Sequence, residues 1–414
     1  MTEKPTESVE AFRARARAWL ADTMPLRDDA RPPGFTEDDT AEWERARELQ
    51  KLLYAGGFAG IRFPTEYGGL GLSQAHQKAF DEESAAYELP LLLNLPSFAI
   101  CAATLLDTGS EEQKRERVGA AIRGEEIMCQ LLSEPSGGSD LAGLITRAER
   151  SGDDWILNGA KTWSTSAYAA DWGLCLARTD WDVPKHQGLT MFLVPLKGTE
   201  GLTVNRIRMV NGSREFCEEF FDDVRLPASS VVGAVNDGWT VASRQLFHER
   251  NAMGGASPYV SGRGTMRVTP HPTPLDIALS RDRADDPLVQ ELLGEYLALR
   301  TVHEQTVGRV SRAIGTGALP PASSSLLRLL YAEVQHLGAD NALRIAGASI
   351  GVGSGPQPGI DGRAGVGFLM RQGASLGGGS TEIARNVISE RVLGMPREAA
   401  ADRDIPFRQV KRGN

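Results

Sequence analysis

GDDWILNGAKTWSTSAYAADWGLCLARTDWDVPKHQGLTMFLV, residues 152–194, decides the class of fold. After the turn signal Gly152-Asp153-Asp154 comes the β-rich run Trp155 to Leu157, and Leu174 to Ala177 and Leu189 to Val194 follow, each bounded by turn-forming residues. Runs of this length and punctuation read as strands, and their recurrence from about Glu126 to Gly233 predicts a sandwich or barrel. On both sides the period becomes helical. Upstream, Val9, Phe12, Ala16 and Trp19, then Trp43, Leu49, Leu52 and Leu53, recur at helical spacing with charges between them. FPTEYGGLGLS (63–73) interrupts the pattern before helix returns over Gln74 to Glu88. Downstream, Asp237 and Gly238 open a helical region that glycines and Pro270, Pro272 and Pro274 break between Ser261 and Asp286. Helix resumes from Pro287. A second break, GVGSGPQPGIDGRAGVG (351–367), precedes a last helix with Ile383, Val387 and Ile388 on one side. Helices, strands, then helices predict an α+β chain, divided at 1–125, 126–235 and 236–414.

A chain of 414 residues buries a sizeable core, and its 24% charged and 41% hydrophobic residues suit a water-soluble protein. The reading finds no run of about 18 apolar residues to span a membrane. MTEKPTESVEAFRARARAWL mixes acids and bases where a secretory signal needs an apolar stretch, so the expected location is the cytoplasm. The net charge of -9, with basic residues scattered among acids, argues against a nucleic-acid partner. Cys101, Cys129, Cys175 and Cys217 lie far apart with no CxxC pair, so no metal site is expected and buried free thiols are.

Two strings draw attention for their chemistry. QLLSEPSGGSD (130–140) closes a strand with hydroxyls and paired glycines, which let backbone approach a planar or anionic ligand. LNGAKTWSTSA (157–167) sets Trp163 beside Thr162, Ser164 and Thr165. Each alone is weak: most such glycine strings are ordinary turns, and a tryptophan in a strand is more often core.

Their order with FFDDVRLP (220–227), VNDGW (235–239), HER (248–250) and GGGSTEIARNVISERVLGMPRE (377–398) is specific, and at this point the sequence resembles the acyl-CoA dehydrogenase family along nearly its whole length. The resemblance implies an N-terminal helical domain, a middle β domain and a C-terminal four-helix domain. It implies FAD as cofactor, an acyl-CoA thioester as substrate, and an electron-transfer flavoprotein as electron acceptor. Leu132 and Ser133 match positions at the flavin pyrimidine, Thr165 the hydroxyl near flavin N5, and Trp163 the aromatic against the isoalloxazine. Gly379 and Ser380 match residues near the flavin diphosphate and ribityl chain, and Ser139 a residue near the CoA thioester.

Removing an α-proton from a thioester requires a placed carboxylate. Many family members carry it at the first position of E-G-T-[SA]-E-I, where this chain has Gly378, and Glu382 corresponds to a different position of that string. Other branches place it on the first helix of the C-terminal domain, before an arginine; that position is Glu249, followed by Arg250 on the substrate side. The ordinary fate of a helical glutamate is a solvated carboxylate paired with a neighbour. Buried beside a thioester, Glu249 would have its pKa raised by desolvation, against any charge from Arg250.

The family's R-x-x-F-G string is replaced by RVTPHPTPLDIALS (267–280), and no Gln precedes Gly351. These contacts reach a neighbouring subunit's FAD in homotetramers. Their loss resembles the branch of paired, unlike subunits that act on bulky thioesters such as steroid side chains, so homo- and hetero-oligomer both stay open. A flavin oxidase or monooxygenase on the same scaffold, and a non-catalytic partner subunit, are the competing readings.

Overall fold

The structure is a computed structural model describing residues 7–27, 40–253, 257–260, 271–348 and 359–411. The expectations resting on Pro270, on Gly351 and on most of the second glycine-rich break lie outside these residues. The chain forms two compact units. The first spans Met1–Met209, Ser213–Val268 and Ala401–Asn414, and the second Val210–Gly212 and Thr269–Ala400.

The first unit opens with helices α1 (Val9–Thr23), α2 (Thr40–Ala55) and α3 (Gln74–Glu83). Ser8 caps α1 by accepting from the Ala11 N–H, and Phe12, Ala16 and Leu20 form its buried stripe. Phe12, Phe58 and Phe80 pack with ring centroids 5.5 and 5.6 Å apart. Helix α3 stops at Glu83 and not at Glu88, because Tyr87 turns to pair with Leu26 across an antiparallel bridge.

Next comes α4 (Leu91–Thr108), whose middle, Asn94–Ala102, has π-helical turns. It corrects the expectation that no segment could cross a membrane: by length and composition this one could, yet 72% of it is buried inside the fold. Asn94, Ser97 and Thr104 interrupt the apolar run, and Ser97 Oγ accepts from the Met128 N–H at 2.9 Å. Helix α5 (111–122) then leads into the strands.

Strands β1 (Met128–Leu131), β2 (Arg147–Ser151), β3 (Asp154–Thr165), β4 (Trp172–Arg178), β5 (Leu189–Pro195), β6 (Leu202–Ile207), β7 (Phe216–Pro227) and β8 (Val231–Val232) join in one sheet. Its order is β6-β7-β3-β2-β4-β5-β8, with β1 parallel to β4. Two antiparallel halves meet at the pair Arg147 and Arg178, and Trp155 of β3 packs on Phe192 of β5, ring centroids 5.4 Å apart. That face-to-face packing makes the middle region sandwich-like. Strand β5, apolar but for Thr190, is buried at every position from Leu189 to Val194, as expected of a strand covered on both faces. All four cysteines are buried free thiols.

Helix α6 (Gly238–Met253) follows the sheet. Val241, Ala242, Gln245, His248 and Ala252 bury one face of it, packed against α4 and β5. Gly238 is needed at its start, where an added Cβ would come 2.6 Å from the Thr190 backbone. The C-terminal segment returns to the β region: the Phe407 ring covers the buried Arg178 guanidinium at 3.5 Å, and Lys185 pairs with Asp402 at 2.7 Å.

The second unit is helical: α7 (Pro274–Ser280), α8 (Pro287–Gly315), α9 (Ser324–Ala346), α10 (Ile360–Met370) and α11 (Thr381–Val387). The proline-rich break thus contains a helix. Pro274 sits in the first turn of α7, where its missing N–H is no loss, and Thr273 and Asp276 form a capping box. Asp286 caps α8 by accepting from Leu288 N at 3.0 Å, and Pro287 occupies the first turn. Ile277, Leu292, Ala342, Ile345 and Ala364 form this unit's core.

Candidate active site

SEPSGGSD and NGAKTWST form one structure. The Lys161 ammonium on β3 reaches the Glu134 carboxylate at 2.9 Å and the Leu132 carbonyl at 3.0 Å, with both side chains shut away from solvent. Glu134 also accepts from the Ile145 and Thr146 N–H groups at 2.7 and 2.9 Å. Burial pushes this carboxyl up, but the Lys161 charge and those donors override it and hold the group below its ordinary range. One residue along, the Thr162 N–H donates to the Ser133 carbonyl at 2.9 Å. Leu132 and Ser133 are thereby fixed to the strand that carries Trp163 and Thr165. Ser139 is exposed on the turn that follows.

Trp163 is not a core residue. The β3 and β7 register shifts between Thr162 and Ser164, and Trp163 occupies the irregularity with φ 63°. A bulge re-aims one side chain, and this one leaves the indole 54% exposed, edge-on to Phe216. Thr165, half-buried, lies between two left-handed residues, Trp163 and Ser166. Between them Ser164 points inward and donates to Glu219 at 2.8 Å. Glu219 is fully buried and its other oxygen has no partner among the described residues. Burial pushes its carboxyl up to about 7, against the Ser164 hydrogen bond and the Lys161 charge.

Glu249 belongs to the buried side of α6. Gln130 Nε2, on β1, donates to Glu249 Oε2 at 3.2 Å. Burial raises the Glu249 carboxyl above its ordinary range, opposed first by that hydrogen bond and then by the charge of Arg250, as the sequence implied. Arg250 is exposed. Nearby on α6, Arg244 and His248 both engage Asp107 of α4, the latter at 2.7 Å, and tie the two helices together. Gln130 belongs to β1, whose end leads directly into Leu132 and Ser133, so the structure links Glu249 to that strand and, through the Thr162–Ser133 hydrogen bond, links the strand's end to β3.

Gly379 and Ser380 lie in the second unit. Gly378 and Gly379 have φ 70° and 100°, and an added Cβ at Gly379 would meet nothing within 4 Å. Ser380 caps α11, accepting from Ile383 N at 3.2 Å. Arg328 of α9 holds this loop by donating to the carbonyls of Ala374, Gly377 and Gly379. Glu382 is exposed in the first turn of α11. Gln130, Lys161, Glu219 and Arg328 were not singled out from sequence. Only Lys161 and Gln130 had a signal, since both fall inside the strings that carry the resemblance.

An exposed indole on β3, with Thr165 two residues along and Ser133 tied to the same strand through Thr162, suits a planar group that takes an apolar contact and nearby donors. With a raised carboxyl on α6, these features suit an enzyme that works with a bound organic group. The acyl-CoA dehydrogenase family matches in three parts: its N-terminal domain over residues 6–125, its middle domain over 129–224 and its C-terminal domain over 236–393. The chain belongs to this family, whose members are flavoprotein oxidoreductases acting on acyl-CoA. It is 34% identical over 401 residues to the acyl-CoA dehydrogenase IpdE1 of Mycobacterium tuberculosis, covering 95% of this chain and 99% of that one. Among solved structures it is similar to the Tcur3481-Tcur3483 steroid ACAD, with 27% identity, TM-score 0.70 and coverage of 96% and 100% of the two chains. It is also similar to the ChsE4-ChsE5 complex from Mycobacterium tuberculosis, with 25% identity, TM-score 0.67 and the same coverage.

Proposed function

We propose that this chain is the FAD-binding, catalytic subunit of an acyl-CoA α,β-dehydrogenase in which Glu249 is the base. The hydrogen bond from Gln130 to Glu249 carries the reading, because it sets a carboxylate with a raised pKa against the end of the strand that leads into Leu132 and Ser133. FAD, when bound, supplies the acceptor for the hydride leaving Cβ. Glu249 takes the α-proton, and its partial desolvation makes it a stronger base toward a carbon acid than a solvated carboxylate is. Trp163 offers its exposed face to the isoalloxazine. Ser133 and Thr165 offer donors at fixed positions, which stabilise developing charge without reorganisation. Ser139 and Arg250 border the thioester, and Gly379 and Ser380 the flavin's ribityl and diphosphate.

The reading includes the domain division 1–125, 126–235 and 236–414, a cytoplasmic location, and an electron-transfer flavoprotein as acceptor. It also includes an unlike partner subunit in a tetramer and a bulky, steroid-derived thioester. The solved relatives named as a steroid ACAD and as a two-protein complex support the last two.

The test is anaerobic mixing of flavin-loaded enzyme with an acyl-CoA while flavin absorbance is followed. Glu249→Gln should slow bleaching by about 10²- to 10⁴-fold with flavin retained, and Glu382→Gln should behave as wild type. Wild-type bleaching in the Glu249 variant overturns the assignment.

A further inference from the structure

The acidity of Glu249 is not set by its own helix alone. The groups around Glu249 come from several elements. Arg250 follows it on α6 and is exposed. Cys101 faces it from α4 as a buried thiol, held uncharged because burial pushes its pKa up. Asp107, farther along α4, is already engaged by Arg244 and His248. From the sheet, Cys129, next to Gln130 on β1, is likewise a buried thiol pushed up by burial. Gln245, one turn before Glu249, is a fully buried neutral amide whose Nε2 lies 4.0 Å from Cys101 Sγ. Among the described residues, only Gln130 donates a hydrogen bond to the Glu249 side chain, and Oε1 has no partner.

We propose that Gln130 is a positioning residue for the base: its amide N–H holds Oε2 of Glu249 in place and leaves Oε1 to take the proton. An ionised carboxylate can only accept, so the amide presents Nε2, and a donor on the charged form opposes the effect of burial. Without that donor the same burial would leave the carboxyl protonated over more of the neutral range. Gln130 thus sets the compromise between a base strong enough to remove a carbon-bound proton and one that is ionised when substrate arrives. This rests on Glu249 being the base, but the two ideas fail separately.

Gln130→Met keeps length and apolar packing and removes the donor; Gln130→Leu is the second variant should the first fold poorly. In infrared pH titrations of flavin-loaded enzyme, the protonated-carboxyl band assigned to Glu249 by its absence in Glu249→Gln should shift its midpoint upward. The expected shift is about one to two pH units, the effect of losing a charge-assisted hydrogen bond. The pH profile of flavin bleaching should move by the same amount, so the rate deficit at pH 7 is largely recovered at high pH. An unmoved infrared midpoint overturns the role of Gln130 whatever the rates do. Wild-type bleaching in Glu249→Gln instead overturns the base assignment.

Discussion

Lys161 and Glu134 form an ion pair 2.9 Å long with neither side chain open to solvent, and it joins the two strings on which the candidate flavin site is built. Such a pair is weak evidence for net stability, since desolvation offsets most of the attraction, but breaking it from one side strands a charge. Lys161→Met should therefore destabilise the first unit by about 3–5 kcal/mol. Lys161→Met with Glu134→Gln should recover much of that loss. Urea unfolding followed by tryptophan fluorescence measures both, and additive losses in the double variant would show that the two side chains act independently.

Glu219 makes a prediction with a definite sign. Its carboxyl has an ordinary value of 4.5 and is raised to about 7 in the fold. The folded state therefore holds its proton more tightly than the unfolded chain does. The stability this contributes is full below pH 4.5, declines as pH rises toward about 7, and is gone above that. Glu219→Gln keeps an acceptor for Ser164 and removes the titration. The variant should match wild type at pH 4 and exceed it at pH 8 by an amount on the order of 3 kcal/mol. Parallel stability curves across that window would mean Glu219 does not change its charge there.

Trp163 should be dispensable for folding and needed for cofactor retention. Its side chain is more than half exposed and its backbone is left-handed, so Trp163→Ala removes little packing and should change the stability of flavin-free protein by no more than about 0.5 kcal/mol. The flavin-to-protein absorbance ratio after gel filtration should drop. A large loss of thermal stability with the ratio intact would return Trp163 to the core.

The α+β order, the strands and most helices were legible because each depends on residues near one another in sequence. Trp155, Leu174 and Leu189 begin runs whose composition and bounding turns suffice, and Asp286 and Pro287 announce a helix in two letters. The site was legible only in part. Trp163 is assigned to the flavin by the resemblance alone, since local pattern favours core for a strand tryptophan and the irregularity that turns it outward has no signal in the sequence. Gln130 meets Glu249 across 119 positions, and Lys161 meets Glu134 across 27, through pairings that no local pattern encodes. Glu219 looked like any strand carboxylate. Its burial follows from β7 lying between β3 and β6, which is a property of the whole sheet.

The left-handed backbone at Gly378 bears on how catalytic designs in this family are separated. Under the proposed assignment of the base to Glu249, a base at position 378 instead would entail more than a change of side chain. An L-residue at φ 70° costs about 1–2 kcal/mol before any function is gained, so Gly378→Glu would present a carboxylate from a strained backbone. A sequence bearing both acids would carry that strain in addition to an unneeded charge. The two arrangements therefore differ in backbone cost as well as in which side chain carries the acid.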